Sequence, residues 1–489
     1  MSAKEKNAQA LKALFRSDAL VNRLLDTRIA IVTPDDRVPA SSQLLATVLA
    51  DTLARIWPNI DFYGASATEN HQKALQAATS GGSPQEGLRI QWQPPYNCVV
   101  AIGCNAPSAE QEHIRVAANG WIAHFGQDSM GSEDPNPVGP AFAAALAAAQ
   151  VFETIFRNEL ADSNPVEIRS MIFDLNEICG TEALRVEPLD LGNTTVFGTG
   201  AVTHGLVWLL ENWPHAIVGN LNLVDQDRYG QSNGQRYAFM TEADVGKLKV
   251  DAIKARLTAA HPDLIAQAHG KDLNNYCHER GYVEPLGRVI AGLDSAESRR
   301  HAALKLPESS INMWTAGVRI GAGRYITDGK GACMGCEYLE DISSVQDEVA
   351  VLAQQTGIQA VRVRDLLDSS RGLFLDETQQ LALKLNVSPQ SLVGEPLRSV
   401  LPRLCATGNI QLPNSHETVD VPFAFASLLA GVAGFMMLLK DLQSHKNPSE
   451  GWTQHIFKLP SVHMHELRHR KERCSCCAEL YASPALFSI

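Results

Sequence analysis

The sequence predicts an α/β protein built from two parallel-sheet units in tandem with a metal site; two observations carry the sheet units and a third the metal. Short apolar strands alternate with segments of helical period from residue 27 to about 156. The alternation starts again near residue 190, this time through the glycine turn of VFGTGAVTHG (196–205). Two C-x-x-C pairs, Cys333/Cys336 and Cys474/Cys477, lie far apart in the chain and match in number what one metal ion needs.

Taken in order, the segment up to about residue 30 reads as helix, and TRIAIVTP (27–34) as the first strand. SSQLLATVLADTLARIW (41–57) has helical period, with Ser41 or Ser42 placed to cap it. IDFYGAS (60–66), NCVVAIGC (97–104) and NGWIAHFG (119–126) read as further strands, and PAFAAALAAAQVFETIF (140–156) as a helix of small residues. The first strand runs into TPDDRVPA, where no glycine lets a phosphate near the backbone and two acidic groups repel one. The second unit opens with TTVFGTG, continues through helix LVWLLENW and strand GNLNLVDQD (219–227), and adds GRVIAGLDS (287–295) and more strands within 309–327. Charged segments such as VQDEVAVLAQQTG and DETQQLALKLN mark a helical insertion over 340–410. The two units share element order but no sequence repeat.

At roughly 100–200 residues per domain, 489 residues make two to four domains. The net charge of −12 argues against a sequence-independent grip on nucleic acid. HELRHRKER (465–473) reads as a solvated basic face. The N-terminal MSAKEKNAQALKALFRSD is charged throughout, unlike a secretory leader, so a cytoplasmic location is expected. VPFAFASLLAGVAGFMMLL (421–439) alone approaches the length of a membrane span. Pro422, Ser427, Gly431 and Gly434 mark it instead as a buried core helix, and no membrane association is expected.

In the glycine turn, Gly198 permits the tight bend and Gly200 lets the backbone approach phosphate, while Thr203 stands where a dinucleotide fingerprint has its third glycine. Asp225, ending the next strand, is placed for ribose hydroxyls, which serves NAD and ATP alike. The following segment, QDRYGQSNGQRYAFMTEADVGKLKVDAIKARL (226–257), decides between them. It supplies Arg236 and Lys249, fixed cations that a triphosphate wants and a nicotinamide enzyme does not need.

The glycine turn, the D-x-D at 225–227, SNGQR at 232–236 and ADVGKLK at 243–249 together resemble the ThiF/MoeB/ubiquitin-activating enzyme superfamily in order and spacing. Thr203 departs from the pattern at a packing position, and Tyr237 stands where the family has Gln. The resemblance implies that Asp225 binds ribose with Asp227 nearby, and that Asn233, Arg236 and Lys249 hold the triphosphate of ATP. It also implies that Asp294, in VIAGLDSAESRR, carries Mg2+, a hard cation suited to carboxylate and phosphate oxygen; the same residue could cap the next helix.

Cys333, Cys336, Cys474 and Cys477 suit a closed tetrahedral Zn2+ site, with Cys476 able to replace Cys474 or Cys477. Cys405, in LPRLCATGNIQLPNS, matches by resemblance the cysteine that takes the acyl group as a thioester, and Cys277 is the next candidate. The ubiquitin-activating enzymes of that superfamily pair an inactive adenylation unit with an active one, and the inactive unit lends an arginine, for which Arg16 and Arg23 are candidates by this resemblance.

The expected fold class is therefore α/β, with two Rossmann-like adenylation-type domains, one inactive and one active, a helical cysteine-bearing insertion and a zinc site. The expected boundaries are 1–180 for the inactive domain, 181–340 for the first part of the active one, 341–415 for the insertion, and 416–489 for the return with the C-terminal zinc ligands. The resemblance is to activating enzymes of bacterial ubiquitin-like conjugation systems linked to phage defence. It implies adenylation of a ubiquitin-like protein, with Arg236 and Lys249 stabilising charge, then a thioester on Cys405 and transfer to a conjugating enzyme. A sulfur-carrier-type adenylyltransferase without thioester transfer is the alternative. A monomer or a homodimer is expected.

Overall fold

The computed structural model describes residues 7, 20–82, 85–105, 113–126, 130–160, 170–179, 183–281, 286–327, 331–338, 349–350, 352–368, 372–385, 387–397, 400–401, 423–443, 449–460, 465–471, 474 and 476–477. The chain divides into two compact units. One is drawn from Met1–Ala8, Asp18–Tyr338 and Pro422–Ile489, and the smaller one from Gln9–Ser17 and Leu339–Val421.

The larger unit holds two sheets. Strands β1 (Arg28–Val32), β2 (Asn59–Tyr63), β3 (Leu88–Ile90), β4 (Cys98–Ile102), β5 (His113–Asn119), β6 (Ile122–Phe125) and β7 (Met171–Asp174) lie in the order β3-β2-β1-β4-β5-β6-β7. The first five are parallel and the last two join antiparallel. With them go helices α1 (Leu20–Asp26), α2 (Ala40–Ala54), α3 (Ala67–Ser80) and α4 (Val138–Phe156).

The second sheet comprises β8 (Leu189–Phe197), β9 (Ile217–Val224), β10 (Leu264–His269), β11 (Arg288–Ala291), β12 (Ser309–Ala316), β13 (Arg319–Ile326), β14 (Glu450–His455) and β15 (His465–Leu467), in the order β10-β9-β8-β11-β12-β13-β14-β15. Its helices are α5 (Ala201–Glu211), α6 (Lys249–Ala260), α7 (Leu273–Arg280), α8 (Ala296–Ala303) and the short α9 (Met334–Glu337). The strand order repeats that of the first sheet, including the switch to antiparallel pairing, and adds β15 at the edge. The shared element order in the sequence is thus a shared topology.

Within the smaller unit, α10 (Ala360–Asp368) and α11 (Leu375–Leu385) pack around a core that includes Leu352, Val363, Leu366, Leu381, Leu392 and Val400.

Helix α12 (Ala424–Gln443) holds the place between β13 and β14 that α4 holds between β6 and β7. Both helices are long and apolar enough to cross a membrane, and both are buried, α12 over 94% and α4 over 89% of its most apolar stretch. The apolar run of the sequence marks only the stretch within α12, whereas α4 holds its apolar residues among many alanines. An all-round apolar helix is stable in water only when neighbours cover every face. Glycines set how closely they do so. A Cβ on Gly431 would lie 2.7 Å from the Val202 carbonyl oxygen and 2.8 Å from the Gly205 Cα, so α5 and α12 cross backbone to backbone.

At the far end of α12, Asp441 accepts from Arg288 Nε at 2.6 Å, Arg324 Nε at 2.8 Å and Ser309 Oγ at 2.8 Å. Burial pushes its pKa up, but the two guanidinium groups outweigh that and hold it below the ordinary value.

Gly431→Val is expected to destabilise the protein by about 1–3 kcal/mol or more through overpacking. Urea unfolding checks this, and an unchanged midpoint would contradict the close helix crossing.

Candidate active site

Strand β8 ends at Phe197, and α5 begins at Ala201 after the turn Gly198–Thr199–Gly200. Gly198 has φ +82°, a left-handed conformation, and a Cβ there would meet the Gly292 carbonyl oxygen at 2.7 Å. The Gly198 N–H donates to the Val224 carbonyl at 3.0 Å, and Gly292 N–H to that of Phe197 at 2.9 Å. The exposed N–H groups at the start of α5 and its dipole favour an anion.

Thr203 replaces the expected third glycine without loosening the turn. Its hydroxyl donates to the Gly198 carbonyl at 2.8 Å. The room it needs comes from Gly292, where a Cβ would lie 2.0 Å from Thr203 Oγ1. The close-packing glycine has moved from the helix to the end of the neighbouring strand.

Asp225 is held from both sides. One carboxylate oxygen accepts from Thr199 N at 2.7 Å and Thr199 Oγ1 at 2.8 Å, the other from Asp227 N at 2.9 Å. Asp227 in turn accepts from Lys249 Nζ at 2.8 Å. Burial works against the charge of Lys249, but Tyr237, Asp227 and Asp225 outweigh it and raise its pKa.

The Tyr237 ring lies 5.4 Å from Lys249 Nζ and 5.5 Å from Arg236 Cζ, within cation–π range of both. His204 stacks on the same ring at 4.7 Å, and Tyr229 meets it edge-on at 6.1 Å. His204 Nδ1 lies 2.8 Å from the Gly200 carbonyl oxygen, so Nδ1 carries the proton, and Nε2 accepts from the Tyr229 hydroxyl at 2.6 Å. Burial lowers its pKa to about 3, and the imidazole is neutral.

Among the described residues Arg236 has no carboxylate partner. Asn233 Oδ1 accepts from Gly230 N at 2.9 Å and closes the turn that carries Arg236. Asp294 is exposed, and Ser295 rather than Asp294 caps α8, accepting from Ser298 N at 3.1 Å. The Asp294 carboxylate thereby stays available to a cation.

Gly198, Gly200, Asp225, Asp227, Asn233, Arg236, Lys249 and Asp294 all line one cleft of about 460 Å³, with Lys271 and Asp272 further along its wall.

A profile of the ThiF family matches residues 187–478, more than half of the chain. The chain belongs to the ThiF family. Adenylyltransferases of that family use ATP and Mg2+ to activate a substrate by adenylation. A second profile, the BilD N-terminal domain, matches residues 20–169. A Sinorhizobium fredii protein described as uncharacterized protein y4jF is 29% identical over 483 residues, which cover 94% of this chain and 91% of that one. Among solved structures, PaaA is 15% identical with a TM-score of 0.33, over 57% of this chain and 64% of its own. MccB of E. coli, with succinimide, is 13% identical with a TM-score of 0.35, over 74% of this ThiF-family chain and 97% of its own.

The second cluster of chemistry is the thiols. Cys333 and Cys336, at α9, meet Cys474 and Cys477 with all four Sγ atoms within 4.8 Å of one another. Four of the six separations are 3.5 to 3.9 Å. Four Zn–S bonds of about 2.3 Å in a tetrahedron place sulfurs about 3.8 Å apart, so this donor set fits one such ion. Cys476 is also buried beside α9, its Sγ 2.8 Å from where a Gly335 Cβ would lie, but it is outside that foursome.

Other residues singled out by sequence fall elsewhere. Cys405 and Arg16 lie outside the described residues. Cys277 is buried, and burial raises its pKa, which works against a reactive thiolate. Arg23 donates to Glu159 Oε1 at 2.7 Å and to the Ile155 carbonyl at 3.3 Å, so its charge is engaged at the end of α4. Among the described residues, the first-domain arginine that does reach the loop of the cleft is Arg55, which no motif marked.

Two outcomes follow from the site. Metal analysis is expected to find about one zinc per chain, lost in Cys474→Ser and kept in Cys476→Ser; the reverse would reassign the ligands. The pH response of His204 has a fixed sign. Its native pKa lies below that of the unfolded chain, so its contribution is whole above pH 6.5 and is lost as pH falls towards 3. The slope is at most about 1.4 kcal/mol per pH unit. Urea unfolding of His204→Gln is expected to flatten that slope between pH 6 and 4. Equal slopes in both proteins would show that the buried imidazole is not held neutral.

Proposed function

We propose that this chain activates the C-terminus of a ubiquitin-like protein as an acyl-adenylate, moves it to Cys405 as a thioester and passes it to a conjugating enzyme. The setting is a cytoplasmic, bacterial antiphage conjugation system. The observation that carries the reading is the cleft itself: a glycine turn at a helix N-terminus faces Arg236 and Lys249, with Asp225 and Asp294 on the walls. The match to the BilD N-terminal domain supports a ubiquitin-like substrate. The first domain is the inactive partner on this reading, because β1 runs into Thr33–Pro34–Asp35–Asp36 where the second domain has its glycines.

Asp225, fixed by Thr199 and Asp227, has lone pairs left to accept from the ribose hydroxyls. A carboxylate oxygen of the substrate attacks the α-phosphorus, the bond to the bridging oxygen of the β-phosphate breaks, and pyrophosphate leaves. Arg236, Lys249 and the N-terminus of α5 face the charge that develops. Asp294 would hold Mg2+, which supplies further neutralisation of the phosphates when bound. The thiolate of Cys405 then attacks the acyl carbon and AMP leaves. The four-cysteine centre, in this reading, holds zinc and ties the C-terminal segment to α9.

The test combines ATP–Mg2+, the full chain and a bacterial ubiquitin-like protein with a free C-terminal carboxylate. A thiol-sensitive adduct on a non-reducing gel is expected, lost in Cys405→Ala while ATP–pyrophosphate exchange persists. Lys249→Ala is expected to lower exchange by about 100-fold or more. Exchange without any adduct would leave an adenylyltransferase of the sulfur-carrier type. No exchange with an intact partner would refute the activity.

A further inference from the structure

We infer that the first domain acts on the nucleotide site through Arg55, a positioning residue that sets the shape of the cation-bearing loop. The inference rests on the adenylation reading above. Arg55 follows α2 and is 1% exposed. A guanidinium has five N–H donors, and here each has an acceptor. Nε and one Nη2 hydrogen go to the Asp51 carboxylate at 2.9 and 2.7 Å. The other Nη2 hydrogen goes to the Met240 carbonyl at 3.0 Å. The Nη1 pair goes to Ser80 Oγ at 3.1 Å and the Gly234 carbonyl at 2.7 Å.

Two of those acceptors belong to the other domain's loop, one on each side of Arg236. Asp51 adds a third hold, accepting from Phe239 N at 3.1 Å. The loop also rests directly on the C-terminal end of α3, since a Cβ on Gly234 would come within 2.6 Å of the Ser80 and Gly81 backbone. Phe239 sits at φ +61°, stacked on Trp208 at 4.9 Å. A bulky residue keeps such a conformation only where its surroundings over-determine it. Arg55 and Asp51 supply that determination.

The reach of this clamp into the cleft goes through the backbone. Arg236 has no carboxylate partner among the described residues, so its place is given by the loop it stands on. Arg55 itself does not line the cleft. A buried ion pair contributes little net stability against an apolar replacement, and in this chain its hydrogen bonds hold the loop in one arrangement. The domain that lacks a glycine turn therefore gives the nucleotide site its loop geometry, with no side chain of the clamp entering the cleft.

The test measures binding of Mg2+-ATP and of AMP to the full chain by calorimetry, with melting curves and hydrogen exchange of residues 231–240. Arg55→Lys keeps the charge opposite Asp51 but has too few donors for the whole set. Gly234→Ala leaves Arg55 intact and lifts the loop off Ser80–Gly81. Both are expected to weaken ATP by about ten-fold, the equivalent of one lost charge-assisted contact. AMP affinity is expected to stay unchanged, with faster exchange confined to the loop. Should one variant fail to fold, the other decides. Unchanged ATP affinity, or equal loss for ATP and AMP, would reduce the clamp to a domain staple and overturn the inference. Absence of ATP binding in the wild-type chain would instead refute the adenylation reading.

Discussion

The cleft is built outward from one close approach, that of the backbones at Gly198 and Gly292. Nothing larger than hydrogen fits between them, because a Cβ on Gly198 would sit 2.7 Å from the Gly292 carbonyl oxygen. That contact brings the end of β11 against the turn after β8, and so places Asp294 across from the start of α5. It also makes the space that Thr203 fills, and Thr203 returns a hydrogen bond to Gly198. A phosphate-binding turn needs its backbone bare, and here two strand ends share that requirement.

Charge in the cleft is organised around an aromatic ring. Tyr237 stands between the neutral His204 on one side and the cations Arg236 and Lys249 nearby. Lys249 is the buried member of its pair with Asp227, with 5% of its side chain exposed against 61% for the aspartate. A tyrosine in place of the family's glutamine exchanges an amide's hydrogen bonds for a π-face that both cations can use. The protonation of His204 would add a third charge beneath the ring, and its burial prevents this near neutral pH.

Much of this was legible in the sequence, and the pattern of what was not has a physical cause. Strands with continuous apolar runs, such as those ending at Val32 and Ile102, announce themselves. Strands β5 and β10 do not, since His113, Arg115, Gln267 and His269 interrupt them and Ile265 faces outward. The residues proposed for the nucleotide fall in local motifs of fixed spacing, and so could be singled out before the fold. Arg55 could not. Its partners Gly234 and Met240 are 179 and 185 residues away, and a buried arginine at the end of an apolar helix has no local signature. Arg23 and Arg16 looked equally eligible because sequence position says nothing about which way a side chain is spoken for.

The repeated strand order has a consequence for how substitutions are tolerated. Two copies of one topology ordinarily free the second copy to drift. In this chain the freedom is uneven within the first copy. Its loop after β1 carries Pro34, Asp35 and Asp36 where the second copy has Gly198 and Gly200. Its α2–α3 edge keeps a fully satisfied arginine, a carboxylate and a bare backbone at Ser80–Gly81, all matched to the other copy. The α2–α3 edge of the first copy thus answers to the backbone of the other copy, at Gly234 and Met240.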